Sequence, residues 1–189
     1  MCSSDLMKRF LMTYAAYRGR FSDVWMWGEF PFRGDFGGKD TGIDLVARTT
    51  DGDYWAVQCK CYQASAVIDK PAVDSFLATS SRQFLDGEGH TAGFSQRLWI
   101  STTNQWNREA ENAIRSQNPP VARIGLADLM EADVDWDALA RGQTGDAARH
   151  ADRSPMPHQQ KAIEDAHEYL KSHERGKLIM ACGTGKTYT

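Results

Sequence analysis

No apolar run in this sequence approaches the roughly 20 residues that cross a bilayer as a helix. The N-terminus also lacks the basic-then-apolar order of a secretory signal. Membrane-spanning and exported proteins are therefore not expected, and the cytoplasm is the expected compartment. Cysteine is scarce: only Cys2, Cys59, Cys61 and Cys182 occur. Cys59 and Cys61 form a C-x-C pair, but no second cysteine or histidine pair stands at zinc-ligand spacing. That excludes a disulfide framework and a structural zinc site, and the expected state is reduced thiols. A surplus of positive charge is missing too. The formal net charge of −3 does not advertise a nucleic-acid binder. The argument is a weak one, because Asp128, Glu131, Asp133, Asp135 and Asp137 crowd one stretch and leave the rest closer to neutral. An enzyme that cuts nucleic acid also needs acids for its metals and can confine its basic residues to one groove. No internal repeat is visible.

What remains is the composition of a globular protein, 41% apolar and 25% charged over 189 residues. That length holds one ordinary domain, or one domain and part of another. The opening MCSSDL is also what a common sequencing-adaptor end spells when translated, so residues 1–6 receive no functional weight.

Apolar residues recur at helical spacing from Leu6 to Tyr17, which predicts an amphipathic helix. The aromatic, then glycine-rich stretch from Ser22 to Gly42 reads as a short strand and an irregular loop. Residues 43–48 and 54–61 predict a hairpin about Asp51-Gly52. Asp69, followed by Pro71, marks the start of a second helix. Residues 97–102 (RLWIST) form a strand, and Asn104 is the expected cap of the helix in QWNREAENAIRSQ. Pro119-Pro120 then stop that helix before the strand VARIGL. The fold class is mixed α/β, with the first domain over residues 7–139. Residues 140–155 are polar and aperiodic and read as a linker, and a new pattern occupies 156–189.

Within the hairpin, Gln58 and Lys60 point one way while Val57, Cys59 and Cys61 point the other. With the turn at Asp51-Gly52, facing residues sum to about 103. Asp44 then lies opposite Cys59, give or take one residue, beside Gln58 and Lys60. Three polar groups converge in the pattern D-x13-Q-x-K, and each is costly if buried unpaired. Mg²⁺ takes oxygen ligands and keeps several waters. Asp44 offers a carboxylate, Gln58 an amide oxygen and Cys59 a backbone carbonyl, while Lys60 can hold a water and offset developing negative charge. Glu29 and Asp40 can add a carboxylate. Spacing alone leaves a second reading open: an exposed hairpin face with an Asp44–Lys60 cross-strand pair and Gln58 as filler.

The strands DTGIDLVA and YWAVQCKCY, with LWIST leading into NQWNREAENAI, resemble the Mrr-like branch of the PD-(D/E)xK nucleases. The resemblance covers roughly residues 8–130. It implies a restriction-endonuclease-like mixed sheet flanked by helices, acting on double-stranded DNA with Mg²⁺. Asp44 would be the metal-binding acid, Gln58 the second ligand position, where this branch often carries glutamine, and Lys60 the catalytic lysine. The helix glutamate often found in this fold has no clear match; Glu29 is the candidate.

Downstream, KLIMA reads as a buried strand running into ACGTGKT. Gly183 and Gly185 let backbone N–H groups approach phosphates, with Thr184 between them. Lys186 can bridge terminal phosphates and Thr187 can ligate Mg²⁺. Met180 stands where the strict phosphate-loop pattern has glycine. MACGTGKT resembles the first motif of superfamily 2 helicases and translocases, notably the MATGTGKT of type I restriction motor subunits. PMPHQQKAI resembles their adenine-reading glutamine motif, which points to Gln159. The resemblance implies ATP as cofactor and the start of a RecA-like domain. About 35 residues cannot bury the core of an ATPase domain, so weak or no nucleotide binding is expected of this segment by itself.

Trp25, Trp27, Phe30, Phe32 and Phe36 can stack bases beside the site, though such residues are more often core anchors. Ser101 to Asn104 can contact a phosphate or cap a helix, and no two histidines share a metal-binding spacing. The leading expectation is an Mg²⁺-dependent endonuclease tethered to an ATP-driven DNA translocase. The alternative, from a different class, is a non-cleaving DNA-binding or regulatory module of a helicase.

Overall fold

The computed structural model describes residues 3–37, 42–63, 65–149 and 157–173, with side chains in the last stretch from residue 160. Two compact units divide the chain at Arg149 and His150.

In the first unit, helix α1 (Ser4–Thr13) begins where the Ser3 hydroxyl accepts from Leu6 N–H. Its face of Leu6, Met7, Phe10 and Leu11 is buried. The helix stops at Tyr14, whose backbone is extended, so residues 14–17 are turns rather than the expected last turn of helix. The antiparallel strands β1 (Phe21–Met26), β2 (Leu45–Thr49) and β3 (Tyr54–Lys60) follow. Helix α2 (Lys70–Ser80) then leads to the small strands β4 (Phe84–Leu85) and β5 (Thr91–Ala92), and on to β6 (Phe94–Ser101). Helix α3 (Arg108–Arg115), strand β7 (Val121–Ile124) and helices α4 (Leu126–Glu131) and α5 (Trp136–Ala140) complete the unit.

The main sheet has the order β1-β2-β3-β6-β7, with β3–β6 and β6–β7 parallel. It is the expected mixed α/β architecture, one sheet flanked by helices. Strand alternation sends Leu45, Ala47, Trp55, Val57, Leu98 and Ile100 to the face that packs with Leu6, Phe10, Leu11 and Leu139. Val46, Tyr54, Ala56 and Trp99 pack on the other face with Val73, Phe76, Ala110 and Ile114. Burying each such large side chain is worth about 1.5–3 kcal/mol. Central strands β3 and β6 therefore read as nearly continuous apolar runs, as buried parallel pairs do.

Three expectations change in detail. Hairpin partners sum to 102 (Leu45 with Val57, Val46 with Ala56), so Asp44 faces Gln58 rather than Cys59, within the one-residue margin. Asn107, not Asn104, caps α3, accepting from Ala110 N–H at 2.8 Å. The Asn104 side chain instead accepts from Leu126 N–H at the start of α4. Residues up to Arg149, read as linker, pack on the first unit. Ala148 is buried and accepts from Asp135 N–H, Gly145 N–H donates to Thr13, and Arg149 pairs with Asp133 at 2.7 Å. Small and polar residues hid this packing because they carry no periodicity. The strands β4 and β5 and the helices α4 and α5 are also additions to the sequence reading. In the second unit, the described element is α6 (Pro157–Leu170).

Candidate active site

Asp44 sits one residue before β2. Its N–H donates to Val57 C=O at 2.9 Å and its C=O accepts from Trp27 N–H at 2.8 Å, pinning it between β1 and β3. The approach is equally constrained. Gly42 has φ +77°, and a Cβ there would fall 2.8 Å from Ser75 Oγ and 2.9 Å from Phe76 N of α2. Only glycine fits this close pass at a left-handed φ. Ile43, 2% exposed, then plugs the α2 side of the sheet. Gly42, Ile43 and Asp44 thus act as one device: close approach, anchor, carboxylate.

β3 runs past the end of its pairing with β2, and the Asp44 side chain takes over where the ladder stops. Asp44 Oδ2 accepts from Cys59 N–H at 2.7 Å and from Gln58 Nε2. These two donors hold the carboxylate at the end of β3. Gln58 is 2% exposed, and its Oε1 has no hydrogen-bond partner among the described residues. Leaving a buried amide oxygen unpaired costs about 1–3 kcal/mol, so an orphan of this kind requires an explanation. Lys60 lies two residues on, on the same face and only partly buried; its Nζ has no partner among the described residues.

The loop after Lys60 is knitted to the loop after β6. Thr102 N–H donates to Lys60 C=O at 3.1 Å, Tyr62 N–H donates to Thr102 Oγ1, and that hydroxyl donates to Tyr62 C=O. Ser101 Oγ donates to Thr103 C=O, and Thr103 Oγ1 to Ala66 C=O. The hydroxyls that seemed candidates for phosphate contact are thus spent inside the protein. Burial holds the Tyr62 phenol above its ordinary pKa, with Asp69 adding to the effect. The site lies at the C-terminal ends of the parallel strands β3 and β6, where an α/β sheet opens a crevice.

The structure brings Asp44, Gln58, Lys60 and the Cys59 backbone together. Glu29 lies one strand over, in the turn after β1, exposed and committed elsewhere. It accepts from Lys8 Nζ at 2.7 Å and from Met26 N–H at 3.0 Å, which together hold its carboxyl below the usual range. Asp40, Gly183, Thr184, Gly185, Lys186, Thr187 and the side chain of Gln159 lie outside the described residues. Trp27, Phe30 and Phe36 are buried, so they serve as core. Sequence reasoning missed Trp99, the register partner of Gln58 on β6. Only the pairing of two strands far apart in sequence reveals it.

Mg²⁺ would have to be held by this donor set. No group of three or more His, Cys, Asp or Glu able to hold a metal occurs among the described residues. The fit rests instead on one anchored carboxylate, one orphaned buried amide oxygen and the Cys59 carbonyl, all oxygens of the kind a hard cation takes. An unpaired ammonium beside them suits an anionic substrate. The residues present fit the ion.

Residues 13–146 match a family model described as restriction endonuclease, and residues 152–189 match one described as type III restriction enzyme, res subunit. Among solved structures, the chain is similar to the ATP-dependent Type ISP restriction-modification enzyme LlaBIII bound to DNA. The identity is 28% and the TM-score 0.63, over 97% of this chain and 11% of that one. It is also similar to the DNA modification-dependent restriction endonuclease AspBHI, at 15% identity and TM-score 0.41, over 88% of this chain and 35% of that one. No curated protein matches. The chain thus spans about a tenth of the length of the first structure.

Proposed function

The chain belongs to the restriction endonuclease family matched over residues 13–146, and from that premise we propose that its first unit hydrolyses phosphodiesters of double-stranded DNA with Mg²⁺. The observation that carries this reading is the orphaned, buried Gln58 oxygen beside the doubly anchored Asp44 carboxylate and the unpaired Lys60. Asp44 supplies the one charged oxygen for the ion, and Gln58 Oε1 and the Cys59 carbonyl supply neutral ones. When bound, Mg²⁺ supplies Lewis acidity to the phosphodiester and to the attacking water. Lys60 sets its ammonium against the negative charge that builds on the phosphate oxygens. The Thr102 clamp on Lys60 C=O and Tyr62 fixes where that ammonium starts from. With one carboxylate where many such sites hold two, weak intrinsic metal affinity is expected. Glu29 adds a fourth oxygen, and a second carboxylate, only after release from Lys8.

The segment from residue 152 resembles the start of a res subunit. We assign Gln159 to adenine and Gly183, Thr184, Gly185, Lys186 and Thr187 to ATP phosphates and Mg²⁺. A translocase there would deliver DNA to the nuclease, so the nuclease need not bind tightly by itself.

Plasmid nicking with Mg²⁺ or Mn²⁺ tests the reading, comparing wild type with Asp44→Ala and Lys60→Ala. Activity should fall to background in both variants. Equal activity in all three would refute the assignment. A parallel Mn²⁺ titration by calorimetry should show binding in wild type and its loss in Asp44→Ala; an unaltered isotherm points to the non-cleaving DNA-binding module instead.

A further inference from the structure

Two buried polar atoms beside the site lack partners among the described residues: Gln58 Oε1, an acceptor, and Trp99 Nε1, a donor. They belong to register partners on the adjacent parallel strands β3 and β6, on the same face of the sheet. Trp99 is fully buried, its ring 5.5 Å from Trp106 and 5.8 Å from Phe76 at steep angles. Side by side, the two orphans are complementary. An amide oxygen has two lone pairs, and an indole has a single N–H.

We propose that Trp99 is a positioning residue of the site: its indole N–H, through one buried water, holds the Gln58 amide oxygen. Buried waters occur where two or more polar groups converge, and an acceptor next to a donor meets that condition. The second lone pair of Oε1 then remains for the cation, in the manner of outer hydrogen bonds that orient metal ligands. The proposal also accounts for glutamine at this position. Asp44 on one side is an acceptor, and Trp99 on the other is a donor. Only a side chain with one donor and one acceptor end satisfies both, with Nε2 toward Asp44 and Oε1 toward Trp99. Glutamate, an acceptor at both ends, would face Asp44 carboxylate to carboxylate. The inference rests on the nuclease reading for its metal but not for the contact itself.

The test uses the full chain, with Mn²⁺ as probe. Trp99→Phe keeps an aromatic ring at this position and removes the N–H. It should weaken Mn²⁺ binding about 10-fold, the low end for loss of an outer partner. In a Gln58→Glu background the same substitution should cost less than ~2-fold, because the two carboxylate oxygens are equivalent and need no orienting donor. Equal losses in both backgrounds, or no loss in either, overturn the proposal. A merely structural role for Trp99 predicts equal losses. If Trp99→Phe does not fold, the wild-type indole proton resonance of Trp99 decides, compared with that in Gln58→Leu without metal. An upfield move marks a lost hydrogen bond and supports the proposal, while an unmoved resonance overturns it. Absence of Mn²⁺ binding in wild type counts against the nuclease reading, and the metal-free resonance then judges the Trp99 contact separately.

Discussion

Replacing Gln58 by glutamate converts a donor–acceptor contact into two facing carboxylates. Gln58 Nε2 now donates to Asp44 Oδ2, and Gln58 is 2% exposed, so the new charge has no route to bulk water. Two unit charges about 4 Å apart repel by about 4 kcal/mol at the effective dielectric of ~20 that suits protein sites. Escaping by protonation costs a similar amount. A carboxyl with an unfolded pKa near 4.3 needs about 4 kcal/mol to stay neutral at pH 7.5. The metal-free first unit should therefore lose about 4 kcal/mol, or roughly 8–16 °C in Tm for a unit of this size. The pH dependence has a definite sign. The new carboxyl has a raised folded pKa, so the folded state binds the extra proton; the deficit grows as pH rises above the unfolded pKa and levels off beyond the folded one. A divalent ion between the carboxylates offsets the repulsion, and metal affinity should rise. The full 4 kcal/mol would be about three decades; because Asp44 is only partly buried, one to two decades are expected. Tryptophan fluorescence is a clean readout, since all six tryptophans (Trp25, Trp27, Trp55, Trp99, Trp106, Trp136) precede the boundary at Arg149. Melts at pH 5 and 7.5, with and without Mn²⁺, separate the terms. A metal-free variant as stable as wild type at pH 7.5, or an unchanged Mn²⁺ affinity, would refute the reasoning.

Arg97 is 1% exposed and donates to Ser80 Oγ, Ser81 Oγ and Pro119 C=O near the C-terminus of α2. Burial lowers its pKa, and these hydroxyl and carbonyl oxygens stand in for a counter-ion. Arg97→Met should cost about 2–4 kcal/mol in chemical denaturation, and Arg97→Lys should not restore it, because its four divergent acceptors, Gln117 Oε1 included, need the guanidinium fork. Mn²⁺ affinity should be unaffected in both. Gly42→Ala forces a Cβ onto the α2 backbone at a left-handed φ and should destabilise by about 1–3 kcal/mol. It should also lower nicking activity by displacing Asp44; a stable, fully active variant would contradict the close-approach argument. Glu29 has its carboxyl pKa held low by Lys8 and Met26 N–H, so its contribution is present above the unfolded pKa and lost as pH falls through the folded one. Lys8→Ala should raise that pKa in an NMR titration while changing stability by less than about 1 kcal/mol, because the pair is largely exposed.

Much of the site could be read from local sequence because its determinants are local. Strand alternation alone places Gln58 and Lys60 on one face, and an Asp-Gly turn brings Asp44 to them within one residue. Helix α2 was legible for the same reason: Asp69 accepts from Ala72 N–H, as an N-cap followed by proline should. Asn104 shows the limit. Its composition marks it as a cap, but which helix it caps depends on β7 returning beside β6, and the answer is α4, 22 residues away.

The sequence by itself thus determined the class of fold and the cluster of an acid, an amide and a lysine on one hairpin, since hairpin geometry and alternation need no distant partner. Tertiary structure decided the rest. Whether Gln58 Oε1 has a partner, what lies beside it and where Lys60 C=O is clamped all depend on β6 docking in parallel against β3, some 40 residues along the chain. A buried polar atom is satisfied or orphaned by its neighbours in space, and no periodicity in the chain records which neighbours those will be.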